Sequence, residues 1–354
     1  MTLTQSATTP ARPLPTTAYR SGAVILAALA VFIFYQFINE LLPSSTEARL
    51  TLGLALPIAI VAGPLLGAIG RSRESDQKWR DGDPVQSRVL AAKARNLSVT
   101  SLGLSATLSV IALVGFVIFV NGGAVQKTFF NGEFMLVGLV DISKALLINI
   151  QIAVGAQVIA MTFGLLLAIG RLLPGKGFMP VRVLCITYID VFRGIPSVVL
   201  IYLVCFGLPL SGVPILSEGD PIVYAIIALS MTYSGYNAEL YRAGLEAINP
   251  DQTSAALSMG LSYPDVMRFV LIPQMARNIA APMLSQFIGL QKDTALVIVV
   301  GIIDAFSQAK IYAANDFNLS AVTTVAFLFV LITIPQTRLV DYILTRTSTN
   351  RKVK

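Results

Sequence analysis

The sequence predicts an all-α polytopic membrane protein, and three observations carry that prediction. Only 13% of the 354 residues are charged and 55% are hydrophobic, whereas about a quarter of an ordinary soluble chain is charged. Mean hydropathy is +0.73. Apolar stretches of about 20 residues, enough to cross a bilayer, recur along the chain, and they lack the polar face that a soluble helical bundle shows to water.

About eight transmembrane helices are expected on length and hydropathy, at 22–42, 50–70, 98–120, 143–170, 184–209, 221–240, 279–303 and 319–343. Residues 1–20, rich in Thr, Ala and Pro, are expected to be a disordered cytoplasmic tail. The first apolar run is too long for a signal peptide and lacks a clear cleavage site. Residues 21–137 hold three spans and their loops. Within them, Asn121-Gly122-Gly123 and Asn131-Gly132 mark an outward loop with a short interfacial piece over 121–137. Five spans follow within 138–345, and 346–354 forms a basic cytoplasmic tail.

Charge sets the orientation. The connection at 71–97 carries Arg71, Arg73, Lys78, Arg80, Arg88, Lys93 and Arg95, that at 171–183 carries Arg171, Lys176 and Arg182, and the C-terminal tail is basic. The alternate loops are richer in acids, with Glu133, Asp141, Glu218, Asp220, Asp304 and Asp316 among them. The positive-inside rule places both termini and the segment 241–278 on the cytoplasmic side of a multi-pass membrane protein. The net charge of +7 belongs to that asymmetry and not to nucleic-acid binding. There is no His, and Cys185 and Cys205 make neither a disulfide framework nor a metal spacing. Gly170 to Gly177 nearly spells a phosphate-binding loop, but it lacks the final Ser/Thr and follows a membrane helix instead of a strand. The chain therefore carries no ATPase of its own and is not expected to be an enzyme.

Residues 236–273, between two apolar runs, do not have the composition of an ordinary loop. Asn249 can cap a helix with Pro250 at its first position and Asp251 on the positive end of its dipole. Gly260 suits the left-handed residue that ends that helix. Ser262 can cap a second short helix with Pro264 and Asp265 in its first turn. Two short helices joined by a glycine turn would stand out of the membrane as a docking lever.

Ala255-Ala256, then Gly260, then Val270-x-Ile272-Pro273 resembles the EAA loop of permease subunits of ABC importers, with Ser254 where that family has glutamate. Tyr188 to Pro196, Ala238 to Gly244 and Gln291 to Leu296 resemble the polar-amino-acid (His/Glu/Gln/Arg-type) branch, and the resemblance covers roughly 138–345. It implies that the last five helices form a type I permease core. It also implies that Ser254, Ala255, Ala256 and Gly260 lie in a coupling helix docked on an ATP-binding subunit. ATP and magnesium would then be held by the partner, with no cofactor in this chain. Further implied partners are a second permease subunit, identical or homologous, a dimer of ATP-binding subunits, an extracytoplasmic substrate-binding protein and a polar amino-acid substrate in the bilayer-spanning pathway.

Several polar groups interrupt apolar runs. Lys292, Asp293 and Thr294 cannot face lipid without cost, so they line a pathway or fix helix packing by pairing. Asn149 and Gln157, eight apart on one helix face, serve interhelical hydrogen bonds or a polar substrate. Glu239 and Arg242 are spaced for a local ion pair or a contact to the lever. Arg193 and Pro196 mark a gate or a structural kink. The functional expectation is the permease subunit of an ATP-driven importer for polar amino acids. The alternative is an ion-coupled secondary amino-acid transporter, which would show acidic residues in mid-span and inverted repeats.

Overall fold

A computed structural model of the chain describes residues 13, 16–173 and 175–352. Most of the tail expected over 1–20 lies outside the described residues, and Thr17 to Arg20 already belong to the first helix. The described residues are helical, without strands. They fall into two compact units, Met1–Thr128 and Phe129–Lys354.

The first unit begins with α1 (Thr17–Leu41). A short α2 (Thr46–Leu50) runs through a π-helical turn into α3 (Leu56–Arg80), and α4 (Pro84–Phe129) follows. The expected 71–97 loop is a correction: it is helical except for a turn at 81–83, where Gly82 takes φ +80° and the Asp83 carboxylate accepts from the Gln86 N–H at 3.0 Å. The Arg, Lys, Glu and Gln residues there are good helix formers, so the helices outrun their apolar lengths. One face of α4 buries small side chains at Ser87, Ala91, Ala94, Ser98, Ser101, Ser105 and Ala112, a spacing that lets helices approach closely within a bilayer. Val120 to Gly123 break α4, with Asn121, Gly122 and Gly123 at positive φ, as the Asn-Gly-Gly run leads one to expect.

The second unit comprises α5 (Gly132–Val137), α6 (Leu139–Leu172), α7 (Met179–Gly194), α8 (Ser197–Leu210), α9 (Pro214–Ser217), α10 (Pro221–Glu246), α11 (Pro250–Ser258), α12 (Tyr263–Asp265), α13 (Ile272–Asp293), α14 (Ala305–Asp316) and α15 (Ser320–Lys352). Its centre is α10, which packs on α6, α7, α8 and α13. The main apolar core draws Ile152 and Ala156 from α6, Ile201 and Val204 from α8, and Ala225, Ala228 and Leu229 from α10. Contact with α6 is close because glycine removes the side chain: a Cβ on Gly164 would sit 2.8 Å from both the Asn237 Cβ and the Ser234 carbonyl oxygen.

Among the described residues six helices are long and apolar enough to cross a membrane, or seven with one bent pair, not the eight expected. The difference lies in α10, which spans the expected 221–240 but carries Ser230, Thr232, Ser234 and Asn237. These residues face protein, so the helix at the centre is the least lipid-like. The span expected at 184–209 is bent at the proline singled out in the sequence. Helices α7 and α8 meet at a bend of 104°, because Pro196 forces Ile195 out of helical geometry to ψ 129°. The span expected at 279–303 tightens to 3₁₀ geometry from Thr294 to Val300 and ends on Gly301 at φ +79°.

Candidate functional site

The lever forms on the signals in its sequence. The Asn249 side chain accepts from the Asp251 N–H at 2.9 Å and starts α11. The helix closes when the Leu261 N–H reaches the Ala256 carbonyl at 3.3 Å, with Gly260 at φ +87°. No atom lies within 4 Å of a Cβ built on Gly260, so the requirement for glycine here is conformational, not steric. Ser262 caps α12 as expected. The second helix is not separate, however: it continues through a π-helical turn, Val266–Leu271, into α13, so the lever is rigidly joined to a span. Gln274 on α13 donates to the Gln252 side chain on α11 at 2.6 Å, bracing the two arms.

The four motif residues divide by face. Ala256 is buried in a core shared with Ile248, Val266, Leu271 and Met275. Ser254, Ala255 and Gly260 are exposed, and Ser254 donates only to the Pro250 carbonyl, at 3.4 Å. Leu257 and Met259 present apolar surface beside them, Met259 at 76% exposure.

A cavity of about 700 Å³ opens between α10, α13, α15 and the start of α8. Asp293 lies in its wall. Its Oδ2 accepts from the Tyr233 hydroxyl and the Ser197 hydroxyl, each at 3.1 Å. Tyr236, Ser285 and Gln286 add polar groups to an otherwise apolar lining. Both backbone irregularities adjoin Asp293: the Pro196 break sets Ser197 at the first turn of α8, and the 3₁₀ segment begins at Thr294. Ser197, Tyr233, Ser285 and Gln286 were not singled out from sequence. The signal that could have found Tyr233 is the run of polar residues around it, Ser230, Thr232, Ser234 and Asn237, inside an expected span.

Lys292, Asp293 and Thr294 separate. Asp293 faces the cavity, whereas Thr294 is fully buried and joined to Asn149. Lys292 is exposed, does not line the cavity, and forms no ion pair among the described residues. Asn149 is 2% exposed. Its Nδ2 donates to Thr294 Oγ1 at 3.1 Å and to Asp304 Oδ2 at 2.9 Å, and its Oδ1 accepts from the Ala305 N–H at 3.0 Å. This side chain ties α6 to the 3₁₀ segment and to the start of α14. Gln157 is buried and donates to the Met283 sulfur at 3.6 Å, with its Oε1 unpartnered among the described residues.

Glu239 gathers more charge than its spacing with Arg242 indicates. Arg171 at the end of α6 donates to it, Arg242 lies 2.8 Å away, and Arg193 at the end of α7 lies at 3.9 Å. Arg242 also pairs with Glu246 at 2.6 Å, and Arg193 lies over the Tyr236 ring at 5.5 Å. One carboxylate thus ties together the ends of three helices, and Tyr236 connects this cluster to the cavity wall.

The family model described as "Binding-protein-dependent transport system inner membrane component" matches residues 160–349. The chain is 35% identical over 187 residues to the probable amino-acid permease protein YxeN of Bacillus subtilis, covering 52% of this chain and 81% of the relative. It is 32% identical over 208 residues to the glutamate/aspartate import permease protein GltK of Escherichia coli O6:H1, covering 57% and 92% respectively. A crystal structure of an amino acid ABC transporter with histidines superposes with a TM-score of 0.53 at 28% identity, covering 58% of this chain and 93% of that one.

The Asn149 network carries a prediction. Asn149→Leu should leave Asp304 without one of its buried donors and destabilise the fold by about 1–3 kcal/mol. Protein that still folds should retain its transport rate per molecule, because both amide hydrogens are already engaged within the protein. Thermal unfolding of the purified protein, measured beside uptake, checks both points. Unchanged stability with lost transport would place Asn149 in the pathway.

Proposed function

The chain belongs to the family of binding-protein-dependent transport system inner membrane components and is a multi-pass permease subunit of an amino-acid ABC importer, and we propose that its Asp293 cavity is the passage for a polar amino acid. The observation that carries this reading is the carboxylate of Asp293 in a cavity wall that is otherwise mainly apolar. A charge at membrane depth must face protein or water. Tyr233 and Ser197 both donate to one carboxylate oxygen, which leaves Oδ1 to accept from the ammonium group of an amino acid. The apolar wall of Ala281, Pro282, Val340 and Leu344 accommodates the carbon chain.

The chain works with a second permease subunit, identical or homologous. Lys292, exposed one residue from Asp293, faces that subunit or the water between the two. ATP and magnesium are held by the ATP-binding subunits, which dock on Ser254, Ala255 and the apolar side chains of Leu257 and Met259. A substrate-binding protein delivers the amino acid on the opposite side. Both termini and the lever lie in the cytoplasm, where the basic connections place them. Because α11 is braced to α13, and α13 carries Asp293, closure of the ATP-binding subunits is transmitted as a rigid-body movement of the cavity wall. Arg193 and Pro196 stand at the bend beside the cavity, and that bend is the gate. The relatives include a named import permease and an amino acid ABC transporter, which favours ATP-driven import over ion-coupled exchange.

The test is uptake and ATP hydrolysis measured together in proteoliposomes holding the assembled complex. Asp293→Asn keeps the side-chain shape and removes the charge. It should lower uptake roughly tenfold or more, the scale of one charged hydrogen bond, with assembly and basal hydrolysis retained. Wild-type uptake by this variant would reject the cavity assignment.

Gly260→Val tests the lever. A β-branched residue at left-handed φ is strained by ~1 kcal/mol or more, which re-aims α11 against α13. Hydrolysis should persist without matching uptake, and normal coupling in this variant would reject the role of the turn.

A further inference from the structure

We propose that the N-terminal unit carries a binding site for a phosphate group, presented by a phospholipid headgroup at the basic end of that unit. A cavity of about 540 Å³ lies among the first turn of α1, the last turns of α3 and the first turns of α4, with Arg20, Ser72, Ser75, Asp76, Trp79 and Ser87 in its wall. It plays no part in the transport reading, which rests on the second unit.

Buried hydrogen bonds hold this wall together. Thr16 and Ser72 join through their hydroxyls at 2.9 Å, tying α1 to α3. Ser75 donates to the Ser87 carbonyl at 2.7 Å and Ser87 returns the bond to the Ser75 carbonyl at 2.9 Å, tying α3 to α4. Within that frame the Nε of Arg20 is buried and finds no hydrogen-bond partner among the described residues. A buried guanidinium N–H without an acceptor is costly, and guanidinium forks match the oxygens of phosphate in geometry and charge.

The position selects the carrier of the phosphate. The cavity lies just beyond the apolar lengths of all three helices, at the depth where headgroups meet the protein and where Trp residues gather. Arg71, Arg73, Lys78, Arg80, Arg88, Lys93 and Arg95 crowd this end against Glu74, Asp76, Asp81 and Asp83, and basic pockets between membrane helices on the cytoplasmic side suit phospholipid headgroups. Asp76 in the wall disfavours a doubly charged free phosphate. It accommodates a singly charged phosphodiester whose headgroup hydroxyl or ammonium can donate to it.

Trp79 is the only tryptophan of the chain, so its fluorescence reports on this site directly. The full chain, purified in detergent, is titrated with dioctanoyl-phosphatidylglycerol, with dioctanoylglycerol as the phosphate-free control and with inorganic phosphate. The expected result is a saturable change with the phospholipid and none with dioctanoylglycerol. Arg20→Gln should raise the half-saturation concentration roughly tenfold or more, the weight of a charged hydrogen bond. Arg20→Lys, which keeps the charge but lacks the guanidinium fork, should weaken binding by less than Arg20→Gln, and Arg73→Gln, outside the cavity, should not change it. If inorganic phosphate saturates the same signal at the same concentration with the same dependence on Arg20, the phosphate chemistry stands and its source is the free ion, not the lipid. No saturable change, or an identical titration of Arg20→Gln with an unaltered melting temperature, overturns the proposal. Should Arg20→Gln fail to fold, unaltered binding by a folded Arg20→Lys chain, or loss of binding in Arg73→Gln, overturns it equally.

Discussion

Close packing of α6 along α10 is the constraint on which the permease unit depends. Within a bilayer, lipid tails are as apolar as the side chains they would replace, so helices associate through close van der Waals approach and interhelical hydrogen bonds. Gly155 admits the Ile226 side chain, Gly164 admits Asn237, and the Tyr241 hydroxyl donates across to the Met161 carbonyl at 3.2 Å. At the ends of the two helices Arg171 meets Glu239. The pair forms a pillar against which α7, α8 and α13 pack.

Two polar clusters fasten the surrounding helices to the pillar. Asn149, Thr294 and Asp304 do so towards one end of α6, and Glu239 with its arginines does so at the other, about 30 Å away at 1.5 Å per residue. Beside the cavity the backbone leaves regular helical geometry at Ile195-Pro196 and at Thr294, and both places adjoin Asp293. Irregular backbone at membrane depth is tolerated where it is buried in protein or lines a cavity. The breaks, the carboxylate and the cavity therefore form one feature, and it is the one proposed above as the passage.

Much of this was legible in the sequence because its causes are local. The caps at Asn249 and Ser262, the glycine at 260 and the break at Pro196 are written in adjacent residues, and the apolar runs mark most of the spans. The failures arose where tertiary contacts decide. Helix α10 was expected as a span and forms as one long helix, but that its polar residues are buried against protein was not legible from composition. The charged connection at 71–97 reads as loop by polarity, yet its residues favour helix. Lys292, Asp293 and Thr294 are adjacent in sequence but point about 100° apart on a helix, so one reading could not serve all of them. The arginines around Glu239 come from helix ends distant in sequence, where only Arg242 stands at local spacing. The cavity residues Ser197 and Ser285 carry no pattern of their own.

The central claim of this account is that the lever, braced to α13 by Gln252 and Gln274, carries the action of an ATP-binding subunit to the cavity wall. The most direct measurement is contact at Met259, the most exposed large apolar side chain on the lever. In a chain lacking Cys185 and Cys205, Met259→Cys is treated with a short bifunctional thiol reagent in membranes containing the assembled complex. The account predicts a crosslink to the ATP-binding subunit whose yield changes when ATP is bound. An assembled complex in which the introduced thiol stays free, or reacts from the extracytoplasmic side, would contradict it.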